Sequence, residues 1–565
     1  MPKNSTNKTW EITQTKNPPQ NDDEIVDFLL ESRGIISQET KENFLHPQLA
    51  SITIESVGID KKQVEVTLAR LQIAKKKKEL IIIFGDYDVD GITGTAILWE
   101  SLIALGFQVM PYIPHRVEEG YGLSEKGIEN VLTEYPETKL IITVDNGIVA
   151  NLAVAMATKR KLDVIITDHH VRSKGENSPD ALAIVHTTQL CGAGIAWVLS
   201  KEIQKKFGAV TSDDSDVHLE LATLGTVADL VPLTGANRTI VYHGLKRLAV
   251  TERYGLRELF QQAAITDQKI GVYEIGHMIG PRLNAAGRLE SAMDSLRLLC
   301  TRDRKRAQTL AMQLDLVNQE RQQIMHESYI HASSLVAERI KEKKLLVVAH
   351  ESYEEGVIGL VAGRLVEEYY KPAIVIAKGE TTSKGSVRSV KGFNIIEFLR
   401  TRSDLFLGVG GHPMAAGFSI QTECIDVVQK MLEDLAETVI APEILQRKIT
   451  IDLEMSFNDL SAQLYYKLQE LAPFGIGNPE PVFLSRHVLV RQKRIIGRDG
   501  RHLRMILQGG DTGKVLEAIA FGLSERENEA IEENYIDIVY TLDENEWQGT
   551  KRLQLKIKDF KRSDD

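Results

Sequence analysis

The sequence predicts an α/β multidomain protein: a parallel-sheet domain, a long linking helix, a second and smaller α/β domain, and a β-rich C-terminal domain. Three observations predict it. From residue 80 onward, short apolar runs of strand length alternate with helical stretches. A long, charged, helically periodic stretch separates two such blocks. Beyond Ile449 the pattern shifts to short alternating segments and turns.

The elements follow in chain order. Residues 1–60 are polar and Pro/Asn-rich at first, then weakly helical, and read as an N-terminal extension. Residues 61–240 form the first α/β block. Its runs Leu80–Phe84, Leu140–Val144 and Val164–Thr167 are largely apolar, as strands buried on both faces of a parallel sheet are. Phe107–Ile113 is the fourth strand candidate. Such a doubly wound sheet holds ligands at the carboxyl ends of its strands. Lys75–Lys78, just before the first strand, reads as a solvated helix end. Residues 241–340 read as a helical connector. Within it Asp303–Glu338 looks like a spacer helix, with an ordinary core helix the equal alternative for its middle. Residues 341–445 form the second block, with strands Leu345–Ala349 and Ala373–Ala377 around the helix Gly356–Tyr370. Residues 446–565 read as the β-rich domain.

Composition limits the function classes. Of the 565 residues, 43% are hydrophobic and 26% charged, enough apolar mass for roughly three to five domain cores. No apolar run approaches the roughly 20 residues that span a bilayer. The polar start MPKNSTNKTWEITQTKNPPQ has no apolar core of a secretory signal. Cys191, Cys300 and Cys424 are far apart, which disfavours disulfide scaffolds and cysteine–zinc sites and fits a cytoplasmic protein. The net charge of −11 means that a polyanion would need a local basic track.

Three apolar runs end abruptly in acids or histidines: Ile81-Ile-Ile-Phe-Gly-Asp-Tyr-Asp-Val-Asp-Gly91, Ile141-Ile-Thr-Val-Asp-Asn-Gly147 and Val164-Ile-Ile-Thr-Asp-His-His170. On extended backbone, Asp86, Asp88 and Asp90 would share one face before Gly91 turns the chain. Two carboxylates about 4 Å apart repel by about 4 kcal/mol at an effective dielectric near 20. A divalent cation offsets that cost, and carboxylates with an occasional imidazole suit Mg²⁺ or Mn²⁺. One Asp-x-Asp is ordinarily a solvated turn; three strand ends with the same signature reverse that judgement. Asp229, closing the helical segment Leu219–Leu230, adds a fourth element.

The series Gly85-Asp-Tyr-Asp-Val-Asp-Gly91, Val144-Asp-Asn-Gly147, Asp168-His-His170 and Gly225-Thr-Val-Ala-Asp229 resembles the DHH phosphoesterase superfamily. Gly410-Gly-His-Pro-Met-Ala-Ala-Gly417 resembles its associated domain. Within the superfamily the chain is most similar to the RecJ family of single-strand-specific 5′→3′ exonucleases. The marks are Glu119-Gly-Tyr-Gly122, Gly280-Pro-Arg-Leu-Asn-Ala-Ala-Gly-Arg288, Gly385-Ser-Val-Arg-Ser389 and Ala472-Pro-Phe-Gly-Ile-Gly-Asn-Pro479.

The resemblance implies two metal ions, Mn²⁺ or Mg²⁺. Asp90, Asp145, His169 and Asp229 would hold one; Asp88 and a bridging Asp145, with Asp86, the other. Where relatives carry a histidine this chain has Phe84, which implies a weaker second site. His170 would contact phosphate or assist the leaving group, with a structural role as the alternative. A pair of ions clamps the attacking and leaving oxygens of a displacement at phosphorus, which suits phosphodiester hydrolysis.

Candidate substrate contacts are Arg116, Arg282, Asn284, Arg288, Ser386, Arg388, Ser389 and His412. Arginine forks match phosphate. Arg282 and Arg288 flank what reads as a small-residue turn, and His412 lies in what reads as a glycine-rich loop. The basic track is Arg486, Arg491, Lys493, Arg494, Arg498, Arg501 and Arg504, with only Asp499 opposing it locally. By resemblance its domain is an OB-like β-barrel, which binds single strands through basic grooves and stacking rings. Phe483 is a candidate ring, with a core role as the alternative. The expected partner is single-stranded DNA, in repair and recombination, acted on by a monomer without a membrane. A single-strand-binding protein and a RecQ-type helicase are candidate protein partners. The competing functions are a phosphodiesterase for short oligonucleotides or cyclic dinucleotides, and a replication scaffold without catalysis.

Overall fold

The computed structural model describes residues 8–13, 19–115, 119–120, 122–172, 177–208, 217–265, 270–289, 291–337, 339–340, 342–510, 513–547 and 549–563. The chain divides into two compact units: Leu30–Gln319 with Glu470–Glu480, and Met1–Leu29 with Glu320–Gln469 and Pro481–Asp565.

The first unit is built on a five-stranded sheet in the order Gln108–Tyr112, Leu80–Gly85, Thr138–Val144, Asp163–Asp168, Ala183–His186. Every pairing is parallel. Alternation along Leu80–Gly85 explains the unbroken apolar run. Ile81 and Ile83 enter one core with the helices Val89–Ala104, Gly192–Phe207 and Leu219–Ala228, whereas Ile82 and Phe84 enter a second core on the opposite face. The chain runs from Leu80–Gly85 outward to Gln108–Tyr112, then crosses to Thr138–Val144 on the other side. The carboxyl ends of the strands beside this switch form the crevice where such sheets take ligands. The Ala183–His186 strand was not expected; four residues are too few to show a period.

The N-terminal residues are more than an extension. Helices Asp22–Ser32 and Gln38–Leu45 are ordered, and Ile52, Ile54, Val57 and Ile59 enter the sheet's larger core. The basic run ends the helix Lys61–Lys77, as expected.

The segment expected to be a small-residue turn is a helix, Gly280–Leu289. Its leucines and alanines are strong helix formers, and they outweigh the glycines. Its small residues do permit close approach, but to the protein itself: a Cβ on Gly287 would lie 2.6 Å from the Tyr87 carbonyl oxygen. The spacer helix is Arg304–Val336, 33 residues divided between the units after Gln319.

The second unit holds a mixed sheet in the order Gly408–His412, Ala415–Gln421, Thr382–Arg388, Ala373–Ala377, Leu346–His350, with the helix Ile358–Tyr369 against it. His412 therefore ends a hairpin strand rather than sitting in a loop, because Gly408–His412 pairs along its length with Ala415–Gln421. The same unit holds a closed β-barrel. Phe483–Ile496, His502–Gly509, Val515–Ala520, Thr550–Arg562 and Tyr535–Trp547 pair in that order, and Tyr535–Trp547 returns to Phe483–Ile496. Thr9–Ile12 pairs in parallel with Lys448–Ile451 within this unit.

Candidate metal centre

The first acidic run does not stay extended. The strand stops at Gly85 and a helix starts at Val89, so helical capping, not strand alternation, arranges Asp86, Asp88 and Asp90. Asp88 is the N-cap and its Oδ1 accepts from Gly91 N at 3.1 Å. Gly91 is required here: a Cβ would lie 2.6 Å from both Asp86 N and Asp86 O. Val89 N donates to Asn284 Oδ1 at 2.9 Å, so the Gly280–Leu289 helix caps the acidic loop.

Asp90 is buried and faces a second helix N-terminus. Its Oδ2 accepts from Gly192 N at 2.6 Å and its Oδ1 from Ala193 N at 2.8 Å. The positive end of the Gly192–Phe207 dipole favours the carboxylate there. Asp145 follows its strand with φ of 63°, a left-handed conformation that costs about 1 kcal/mol for a residue with a Cβ. Asn146 locks that turn. Its Nδ2 donates to Val144 O at 2.8 Å and Phe84 O at 3.2 Å, and its Oδ1 accepts from Leu123 N at 3.1 Å.

His169 brings three elements together. Its Nε2 lies 3.0 Å from Asp145 Oδ1, 3.6 Å from Asp229 Oδ2 and 3.9 Å from Asp90 Oδ2. Asp229 is the C-cap of Leu219–Ala228, where the helix dipole disfavours an anion and a nearby cation would relieve it. His170 Nδ1 bonds Asp168 Oδ1 at 2.7 Å and lies 3.9 Å from Asp145 Oδ1. Asp168 also accepts from His169 N at 2.7 Å, His170 N at 3.1 Å and Ile148 N at 2.8 Å, so it orients the histidines. Sequence reasoning missed Asp168, Asn146 and Gly192. The Asp168-His-His170 tripeptide was a usable signal for the first; only the fold reveals the other two.

The electrostatics are those of a crowded anion cluster. Burial and Asp90 raise the Asp88 pKa. Burial, Asp90 and Asp88 push Asp145 well above the carboxylate range and Asp229 up to about 9. Burial lowers His169. Burial opposes the charge on His170, but its bond to Asp168 and the neighbouring carboxylates raise it overall.

The residues fit a hard divalent ion. Asp90, His169 and Asp229, and separately Asp86, Asp88 and Asp145, each offer ligand atoms within 4.8 Å of one another, as do Asp145, His169 and His170. Among the described residues, Asp145 Oδ1, His169 Nε2 and Asp229 Oδ2 are buried without a hydrogen-bond partner. Three such atoms in one crevice are costly unless a cation engages them. Cys191 is no competing ligand: its thiol accepts from Gly194 N at 3.4 Å, and burial pushes its pKa well up.

Comparison with known proteins decides the family. The model of the DHH family N-terminal domain matches residues 80–226, that of the DHHA1 domain 342–438, and that of the RecJ OB domain 451–559. The single-stranded-DNA-specific exonuclease RecJ of Salmonella typhimurium is 32% identical over 564 residues, covering 94% of this chain and 95% of the relative. The chain belongs to the RecJ family. The RecJ of Escherichia coli is 30% identical over 577 residues, 97% of each chain, and that of Bacillus subtilis 34% identical over 546 residues, 95% of this chain and 67% of the relative. The crystal structure of RecJ in complex with Mn²⁺ from Thermus thermophilus superposes with a TM-score of 0.82 at 29% identity, covering 99% of this chain and 80% of that one. The Mg²⁺ complex from the same organism gives 0.74 at 27% identity, with 99% and 79% covered.

The substrate candidates of this RecJ-family chain fall into separate places. Asn284 caps the acidic loop as described. Arg282, on the same helix, donates to Asp315 Oδ1 at 2.8 Å and Met278 O at 2.7 Å. Arg288 lies on that helix, its side chain outside the described positions, and Arg116 lies outside the described residues altogether. In the second unit, Arg388 and His412 both pair in register with Ala415, and Ser386 and Gly410 with Gly417. These residues therefore share one sheet face with a small-residue floor. Gly359, in the first turn of Ile358–Tyr369, meets this face: its Cβ would lie 2.9 Å from Ser386 Oγ and 3.0 Å from Arg388 Nη2. Ser389 donates its hydroxyl to Phe393 O at 2.7 Å and is buried.

The basic track is less bare than the local sequence suggests. Arg486 pairs with Glu454 and Asp537, Arg491 with Glu533, Arg501 with Asp499, and Arg504 with Glu517. Three of these arginines find acids on other segments, which sequence proximity cannot show. Phe483 is fully buried, so the core alternative holds; Phe521, beside His502, and Tyr535, stacked on His487, are exposed rings on the barrel.

Proposed function

We propose that this RecJ-family enzyme removes mononucleotides from the 5′ end of single-stranded DNA, using two Mn²⁺ or Mg²⁺ ions. Asp90, Asp145, His169 and Asp229 would hold one ion; Asp86, Asp88 and Asp145 the second. Phe84, buried in the core and stacked on Tyr112 at 5.3 Å, offers no ligand, so the second ion is the weaker. When bound, the ions would lower the pKa of a water and neutralise charge developing on phosphate. The observation that carries this reading is the set of buried ligand atoms without hydrogen-bond partners at the switch point of the sheet.

The chain's own residues do the positioning. His170, held by Asp168 and raised in pKa, is suited to contact phosphate or to protonate a leaving oxygen. Arg388, Ser386 and His412 form a terminal-phosphate pocket, aided by the N-terminal N–H groups of Ile358–Tyr369. Ser389, Arg282, Asn284, Arg288 and Arg116 complete the proposed contacts, Ser389 and Asn284 by fixing their neighbours. We assign the parts as N-terminal 1–60, DHH 61–240, helical connector 241–340, DHHA1 341–445 and barrel 446–565. The enzyme acts as a cytoplasmic monomer in repair and recombination, beside a single-strand-binding protein and a RecQ-type helicase.

End-labelled single-stranded DNA with Mn²⁺ or Mg²⁺ tests this. Early release of labelled mononucleotide from the 5′ end is expected. Internal cuts, 3′ attack, or preference for dinucleotides over long strands would overturn it.

A further inference from the structure

The helix leading into Gly280–Leu289 contains a π turn. Val272–Glu274 is α-helical, Ile275–Ile279 is π-helical, and Gly280–Leu289 is α-helical again. π turns are rare and concentrate at functional sites. This one lies beside the metal centre. A Cβ on Gly280 would be 3.0 Å from Ile275 O, 3.8 Å from Ala228 Cβ and 4.0 Å from Val89 Cγ2. Ala228 precedes Asp229, and Val89 lies between Asp88 and Asp90.

Ile275 and Ile279 are fully buried and anchor the turn. On its outer side Tyr273 and His277 stack, with ring centroids 4.5 Å apart and planes 16° from parallel. Both are exposed, Tyr273 at 63%. His277 Nδ1 donates to Tyr273 O at 3.3 Å, which fixes the imidazole against the phenol. Glu274 turns back and accepts from Gly271 N at 2.9 Å. A Cβ on Gly276 would meet nothing within 4 Å, so the surface beside His277 is open there. The result is a stacked, solvent-facing aromatic pair that adds nothing to the core.

We propose that Tyr273 and His277 form a stacking platform for a nucleobase of the single-stranded DNA whose backbone reaches the metal centre. This rests on the exonuclease reading above. A base offers a flat π face, and stacking on an aromatic ring is tolerant of sequence, as a nuclease degrading any strand requires. An apolar protein partner would want a wider greasy rim than one tyrosine and one histidine supply.

Oligonucleotides carrying 2-aminopurine at successive positions, mixed with chelated enzyme so that no hydrolysis occurs, test the platform. Fluorescence quenching at one or two positions is expected for the wild type. Tyr273→Ala should abolish that quenching and weaken binding by about tenfold, whereas Tyr273→Phe keeps both. Tyr273→Leu, which keeps bulk but not the flat face, should behave like Tyr273→Ala, and thermal melting verifies that each variant is folded. Binding by Tyr273→Ala and Tyr273→Leu within twofold of wild type, with quenching retained, overturns the platform. A wild type that degrades no single-stranded DNA overturns the exonuclease reading instead, so the two failures are distinguishable.

Discussion

Gly192→Ala is the sharpest perturbation of the candidate metal centre that replaces none of its proposed ligands. Gly192 begins its helix and donates to Asp90 Oδ2 at 2.6 Å. A Cβ there would lie 2.5 Å from Asp145 Cβ and 3.0 Å from both Asp145 Cα and Cγ. Carbon atoms pack at about 3.5–4.0 Å, so Asp145 or the helix must move by about 1 Å. Neither yields easily, since the Asp145 turn is held by Asn146 and the Asp90 bonds hold the helix. Alanine gains up to about 1 kcal/mol in helix propensity. Overpacking costs about 1–3 kcal/mol, so stability should fall by about 1–2 kcal/mol. A catalytic group misplaced by about 1 Å can cost about 100-fold in rate. Chemical denaturation and single-turnover digestion of 5′-labelled DNA measure the two effects. A variant as stable as wild type that keeps its rate within about threefold would refute the close packing of Gly192 on Asp145.

Three further outcomes are expected. Asp90→Asn and Asp90→Ala should both abolish turnover; asparagine keeps one of the two acceptors, whereas alanine leaves both Gly192 N and Ala193 N unsatisfied and should be less stable than asparagine by about 1–3 kcal/mol; urea titration in chelator compares the two. For the chelated protein, Asp229 is raised to about 9 from an ordinary value of 3.8, so the folded state binds the extra proton between those values. Stability is then lost as pH rises through that window, and melting temperature should fall from pH 6 to pH 9; added Mn²⁺, which needs the deprotonated ligands, should remove the decline. Arg388→Ala should weaken discrimination in favour of 5′-phosphorylated strands, and equal losses on phosphorylated and unphosphorylated ends would place the arginine outside the terminal pocket.

The clustering of acids and histidines at one sheet edge was legible in the sequence because charge at strand ends is a local signal. Asp88, Asp90, Asp145 and His169 all sit where an apolar run breaks. The three central strands were legible because their signal is local too, each being buried along most of its length. Partners on distant segments were not. That Arg282 faces Asp315, that Arg504 faces Glu517, and that Asn284 caps the acidic loop depend on tertiary packing. Glycines misled twice. In Gly280–Leu289 and Gly408–His412 they suggested turns, but they belong to a helix and a strand whose neighbours come too close for a Cβ at Gly287 and Gly411. A propensity describes a residue alone, whereas close approach is a property of the pair.

The pairing of Thr9–Ile12 with Lys448–Ile451 has a consequence for biosynthesis. The first strand of the chain cannot find its partner until more than four hundred residues later have left the ribosome, and Trp10 Nε1 donates to Asp559 Oδ2 at 2.7 Å, closer still to the end. At roughly 5–20 residues per second the N-terminal segment waits on the order of half a minute to a minute and a half. Through that interval its strand edge is unpaired, while the parallel sheet is complete in sequence once His186 has been made. The nascent chain can thus assemble the Leu80–His186 sheet before Thr9–Ile12 is paired, and a change that unpairs Thr9–Ile12 should be felt in the folding of its own unit before it is felt in the unit that holds that sheet.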